Sequence, residues 1–189
     1  HDALPISVWK TGGEFAAVIS FKTPDFIGLS EIRARLVMFI NTLKIRRRQK
    51  SIGMNVSDEN SVLVFRGEAG SGKSTVAESF IKMLQNASVF SSSQNVERTT
   101  AHKFQRIYAT DVEISKYLSD KKPGIFLVDE IQNEESYLNE LLLGLTEKKT
   151  DTISILLGLN EPLEKFFKEH SELVDLVSFY DFPDISDEN

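Results

Sequence analysis

The feature that most limits what this chain can fold into is a single junction. Four apolar residues, Val62-Leu63-Val64-Phe65, run through Arg66 into Gly67-Glu68-Ala69-Gly70-Ser71-Gly72-Lys73-Ser74-Thr75, and a helical pattern follows from Val76 to Leu84. A short apolar run without alternation suits a strand buried on both faces, as in parallel sheets. The glycine-rich segment matches G-x-x-x-x-G-K-[ST] and lies where the chemistry needs it, between a buried strand and a helix. Glycines let successive backbone N–H groups turn inward around an anion, and the new helix offers its positive end to the same charge. Gly67, Ala69, Gly70, Ser71, Gly72, Lys73, Ser74 and Thr75 are therefore expected to hold a nucleoside triphosphate. Lys73 neutralises its β and γ phosphates, and the Ser74 hydroxyl ligates Mg²⁺.

A second apolar run, Ile125-Phe126-Leu127-Val128, ends in Asp129-Glu130. Carboxylates at the end of a central strand beside such a loop divide the work: Asp129 holds the metal, and Glu130 orients and polarises an attacking water. A third run, Ile153 to Leu157, leads to Asn160. An Asn before Glu161-Pro162 is either a turn former or helix cap, or an amide reaching between a γ phosphate and water.

Around these points helical and strand signals alternate. A helix is expected from Ser30, as N-cap, to about Lys50, with Ile32, Leu36, Phe39, Ile40 and Leu43 on its apolar face and a cationic run from Lys44 to Lys50 at its end. That run is either a solvated helix end or a patch for phosphate or a partner. Further helices are expected over Asp111 to Leu118, Tyr137 to Leu145 and Pro162 to His170, with at most a short strand near Val96 and a last one over Val177 to Phe182. The alternation implies a mostly parallel sheet covered on both faces.

Composition narrows the function classes. With 189 residues, 41% hydrophobic and 26% charged, the chain is an ordinary globular sequence of one main domain. A net charge of -6 makes nucleic acid an unlikely main partner. No apolar run approaches the roughly 18 to 20 residues needed to span a bilayer, so a cytoplasmic location without membrane attachment is expected. The absence of cysteine excludes disulfides and thiolate metal sites. His1 to Ile6 read like the translated end of a sequencing adapter, which makes residues 7–24 a linker or the tail of a preceding element, and 25–189 the α/β domain.

Together, the glycine loop, Asp129-Glu130 and Asn160 resemble Walker A, Walker B and sensor 1 of AAA+ ATPases. With Phe26-Ile27-Gly28-Leu29 before the first helix, and the stretch from Leu157 through Phe166 to Ser186, the chain is similar to the CbbX/SpoVK-type branch. The resemblance implies a P-loop NTPase fold: a five-stranded parallel sheet ordered 5-1-4-3-2, with a helical lid beyond the present residues. It also implies Phe26 and Ile27 near adenine, Asn160 as a catalytic residue beside Lys73 and Glu130, ATP and Mg²⁺ as ligands, and a ring or tandem-domain assembly that remodels a protein client. Two departures stand out. Leu176 falls where the family places an arginine finger, which acts on a neighbouring subunit's ATP. In the pore-loop region, Phe104, Arg106, Ile107 and Tyr108 either grip polypeptide or pack as core.

Overall fold

The three apolar runs become the inner strands of one five-stranded parallel sheet, whose edges are the strand near Val96 and the last strand before Phe182. The computed structural model describes residues 8–11, 14–17, 27–56, 60–90, 95–147 and 150–184. Two strands, β1 (Val8–Thr11) and β2 (Glu14–Ala17), form an antiparallel ribbon within the stretch expected to be linker. Then come α1 (Ile27–Ser51), β3 (Val62–Arg66), α2 (Lys73–Asn86), β4 (Val96–Thr100), α3 (Ala101–Gln105), α4 (Asp111–Lys121), β5 (Ile125–Asp129), α5 (Glu135–Glu147), β6 (Ile153–Gly158), α6 (Asn160–Glu169) and β7 (Ser178–Asp181). Short 3-10 turns over Ile131–Glu134 and Ser171–Leu176 lead out of β5 and into β7.

The sheet order is β4-β5-β6-β3-β7. Numbered within that sheet, this is the order 5-1-4-3-2 implied by the resemblance. All four pairings are parallel, and the registers set Arg66 beside both Gly158 and Asp181, and Thr100 beside Asp129. The carboxyl ends of all five strands therefore share one edge. Every residue of β6 is buried, as are the first four of β3 and of β5, so the unbroken apolar runs are explained by burial on both faces.

The chain divides into two compact units. One takes the described residues within His1–Asp58 and Ser74–Val89. Its buried side chains include Leu29, Ile32, Leu36 and Ile40 on α1 and Val76, Ala77, Phe80, Ile81 and Leu84 on α2, and the ring of Phe39 meets that of Phe80 edge-on at 6.0 Å. Helix α1 begins at Ile27 rather than at an Ser30 cap, so Ser30 lies in its first turn.

The other unit takes the rest, including the sheet. Its core joins Val62, Val64, Phe126, Val128 and Leu156 from the strands to Ile114 and Leu118 on α4, Leu138, Leu141 and Leu142 on α5, and Phe166 on α6. Gly144 is what lets α4 and α5 approach, since a Cβ there would lie 2.6 Å from the Cβ of Ile114. Helix α4 starts on a capping box: Glu113 N–H donates to Thr110 Oγ1 at 3.2 Å, and Glu113 Oε2 accepts from the Thr110 N–H at 3.2 Å. No described helix is long and apolar enough to cross a membrane.

Candidate functional site

The three chemistry-bearing segments leave adjacent strands. The glycine loop follows β3, Asp129-Glu130 ends β5 and Asn160 follows β6, and these are the three inner strands of the sheet. Parallel strands point their carboxyl ends the same way, and ligands in open α/β sheets sit outside that edge. Topology alone thus gathers Lys73, Asp129, Glu130 and Asn160.

The loop departs sharply from the strand. Gly67 is buried, its N–H donates to Gly158 O at 3.3 Å, and a Cβ on it would sit 2.7 Å from both the Cβ of Phe182 and the Oγ of Ser71. Gly70 and Gly72 adopt φ of +78° and +95°, in the left-handed region that side chains other than glycine disfavour. Ser71 is buried, whereas Ala69 and Gly70 are exposed. Glycine is thus required by contact at 67 and by backbone angle at 70 and 72.

Lys73 is the first residue of α2, and its ammonium turns back over the loop, donating to Gly67 O at 2.7 Å and Glu68 O at 2.8 Å. Its Nζ also lies 3.5 Å from Ser71 Oγ. Burial pulls the ammonium below the ordinary lysine range, and the carboxylates of Asp129 and Glu68 act against that shift. A cation short of solvent and held by carbonyls beside a carboxylate is poised to exchange those carbonyls for a stronger anionic acceptor. Ser74 and Thr75 follow on the exposed first turn of α2.

At the end of β5, Asp129 Oδ1 accepts from the N–H of Glu130 at 2.7 Å. Glu130 is exposed and sits at φ 54°, ψ 41°, a left-handed conformation that costs a non-glycine residue roughly 1–2 kcal/mol. The strain lies at the one carboxylate that the sequence assigns to water activation. Asn160 is half-buried and is the first residue of α6, with Leu159 as the cap, so it is not a helix cap itself.

The remaining expectations resolve unevenly. Phe26 lies outside the described residues, and Ile27 opens α1. The aromatic residues after β4 belong to the core: Phe104 is buried, and its ring packs against those of Tyr108, Tyr117 and Phe126 at 4.8, 5.1 and 5.0 Å. Only Arg106 and Ile107 of that group face solvent. Leu176 packs against the same core from the 3-10 turn before β7, a place suited to leucine and not to a guanidinium.

Two groups went unnoticed in the sequence. Arg66, just before Gly67, pairs in two-pronged fashion with Asp181 on β7 at 2.7 and 3.0 Å and lies 4.0 Å over the ring of Phe179. Gln132, in the turn after Glu130, accepts from the N–H of Leu159 at 3.3 Å. A charge before the glycines was the available signal for the first; no periodicity marks the second.

A family profile described as "AAA domain (dynein-related subfamily)" matches residues 62–175, which takes in the glycine loop, Asp129-Glu130 and Asn160. The chain belongs to the AAA domain family. Curated relatives of this AAA chain carry the names expected for the CbbX type. It is 24% identical to a protein CfxQ homolog of Trieres chinensis over 90% of this chain and 63% of the relative, and 25% identical to protein CfxQ of Xanthobacter flavus over 97% and 62%. It is 24% identical to a chloroplastic ribulose bisphosphate carboxylase/oxygenase activase of Cyanidioschyzon merolae over 87% and 60%. The AAA chain thus spans about three-fifths of the length of these relatives. Among solved structures, one reported for katanin self-assembly aligns with a TM-score of 0.49 at 12% identity, covering 86% of this chain and 62% of that one, a likeness too loose to bear on function.

Proposed function

We propose that this AAA chain binds ATP with Mg²⁺ at the edge where β3, β5 and β6 end, and hydrolyses it to drive the remodelling of another protein. The observation that carries the reading is the delivery of Lys73, Asp129-Glu130 and Asn160 by three neighbouring strands of one parallel sheet.

The residues present fit the ligands. Backbone N–H groups opened by Gly70 and Gly72 face an anion without Cβ interference, and the Lys73 ammonium supplies compensating charge. Mg²⁺ takes oxygen ligands, often one or two from protein with water and phosphate completing the shell; the Asp129 carboxylate is a ligand of that kind, and the G-x-x-x-x-G-K-[ST] pattern assigns the Ser74 hydroxyl as another. When bound, the metal neutralises charge that develops on the phosphate oxygens. Glu130 holds the attacking water in line with the γ phosphate and accepts hydrogen bonds from it, while the Asn160 amide steadies that water and the terminal phosphate. Assembly into a ring or with a tandem domain, and a folded protein as client, extend the reading. The client class follows from the relative named for activating ribulose bisphosphate carboxylase/oxygenase.

Leu176 favours one second reading: a subunit that binds nucleotide but turns it over slowly and serves assembly or regulation. An arginine finger contributes a factor of about 10³ or more to turnover, and the core-facing leucine supplies none. Steady-state phosphate release with and without Glu130→Gln separates the two. Turnover abolished by the substitution with ATP binding retained supports hydrolysis at this site. Tight binding without turnover in the unsubstituted protein supports the regulatory reading.

A further inference from the structure

Hydrolysis at such an edge needs Glu130 and Asn160 at a fixed separation, yet the two lie at the ends of different strands. Beyond the β5–β6 ladder, which runs as far as Val128 and Leu156, a side chain links the two strand ends. The turn Ile131–Glu134 grows directly from Glu130, and Asn133 N–H donates to Glu130 O at 3.2 Å, so the turn and the strained glutamate are one unit. From that turn Gln132 extends its Oε1 to the N–H of Leu159 at 3.3 Å. Leu159 lies past the β6 ladder, and its own carbonyl accepts the first α6 bond from Leu163 N–H at 3.3 Å. Its N–H would otherwise have no backbone partner, as at every helix start.

The approach is built into the strand end. A Cβ on Gly158 would fall 3.1 Å from Gln132 Oε1 and 2.9 Å from Ile131 Cγ1, so a side chain there would drive the turn away from β6. The amide is also oriented: Gln132 Nε2 lies 3.4 Å from Asn133 Oδ1, leaving the oxygen for Leu159. Ile131, wholly buried beside Gly158, anchors the turn from below.

We infer that Gln132 is a positioning residue that ties the turn carrying Glu130 to the strand end carrying Asn160 and so fixes the gap in which the attacking water sits. The inference rests on the hydrolytic reading above. Gln132 touches neither phosphate nor water in this account, so its loss affects turnover and not affinity. A misplacement of catalytic groups of about 1 Å can cost up to a hundredfold in rate, while the loop at 67–73 that collects the phosphates is untouched.

The test is Gln132→Met in the intact protein, which keeps length and volume and removes the strong acceptor. Two readouts are taken: the amide exchange of Leu159 by NMR on ¹⁵N-labelled protein, and ATP turnover beside nucleotide affinity. The tie predicts that Leu159 exchanges at least about tenfold faster, that kcat falls about tenfold, and that the Kd for ATP with Mg²⁺ stays within about twofold. Unchanged exchange at Leu159 overturns the tie whether or not the protein hydrolyses ATP. Faster exchange with kcat unchanged, or with affinity lost as much as rate, overturns the positioning role. Absence of turnover in the unsubstituted protein refutes the hydrolytic reading, and the exchange measurement still decides the tie.

Discussion

Substituting Gly67 by alanine is the sharpest probe of how the phosphate loop is built. The added Cβ would lie 2.7 Å from the Cβ of Phe182 and 2.7 Å from Ser71 Oγ, closer than carbon contacts allow. The serine hydroxyl can rotate, though it is buried and close to the Lys73 ammonium. Phe182 has less freedom: its N–H donates to Arg66 O at 2.7 Å, and its ring packs 5.4 Å from that of Phe65. Relief therefore comes from moving the loop or the chain after β7. Such overpacking costs about 1–3 kcal/mol, which for a domain of this size lowers Tm by about 2–12 °C. Because Gly67 O and Glu68 O also hold the Lys73 ammonium, the shift weakens nucleotide binding by about tenfold, or about 1.4 kcal/mol. Gly70→Ala is the control, since nothing lies within 4 Å of its added Cβ and its cost is left-handed strain alone, about 1–2 kcal/mol. Thermal melts with and without ATP and Mg²⁺ report both effects. A Gly67→Ala protein that melts and binds like the parent would refute the packing argument.

Other expectations follow from the same residues. Burial holds the folded-state pKa of Lys73 below its ordinary 10.5, so the unfolded chain binds more protons between the two values and folding stability rises with pH across that window. Bound triphosphate favours the charged ammonium, so nucleotide affinity falls as pH rises through the lowered value; a Kd independent of pH up to 10.5 would contradict the burial of this cation. Phe104→Ala removes a buried ring from the Tyr108, Tyr117 and Phe126 cluster and costs about 3–5 kcal/mol, whereas Ile107→Ser, at a side chain 71% exposed, changes stability by less than about 0.5 kcal/mol. Denaturant midpoints for the pair check the assignment, and equal losses would overturn it. The Tyr117 phenol, raised to about 12 by burial and by the nearby Glu97 and Tyr108, remains protonated as the unfolded chain ionises, so its contribution to stability is whole below pH 10 and is lost toward 12. Spectrophotometric titration showing ordinary tyrosine ionisation would be the contrary result.

Much of the architecture was legible because it rests on burial. The unbroken apolar runs of β3, β5 and β6 announce strands covered on both faces, and the alternation of strands with helices fixes the parallel sheet. Within the site, the glycine loop and the two acids are contiguous in sequence and so could be read directly. Contacts between distant segments could not. Arg66 meets Asp181 across 115 positions, and Gln132 meets Leu159 across 27, through pairings that only the sheet register creates. The helix α3 was missed because five residues, Ala101–Gln105, are too few for a periodic signal; its start depends on the Thr100 side chain accepting from Lys103 N–H. The aromatic group after β4 could not be divided into core and surface from spacing alone, since Phe104 turns inward and Ile107 outward within a single turn. The resemblance implies an arginine near position 176, where the structure instead packs the aliphatic side chain of Leu176 against the core.

Amides and an ammonium at one sheet edge are proposed to hold a triphosphate whose metal is managed by a neighbouring carboxylate. Isothermal titration of ATP into the protein, with Mg²⁺ and with chelator, measures this most directly. The expected result is saturable binding that is at least about tenfold tighter with Mg²⁺, with Lys73→Met removing the affinity and Asp129→Asn removing the metal dependence. Binding to a folded protein that is indifferent to Mg²⁺ and to both substitutions would contradict it.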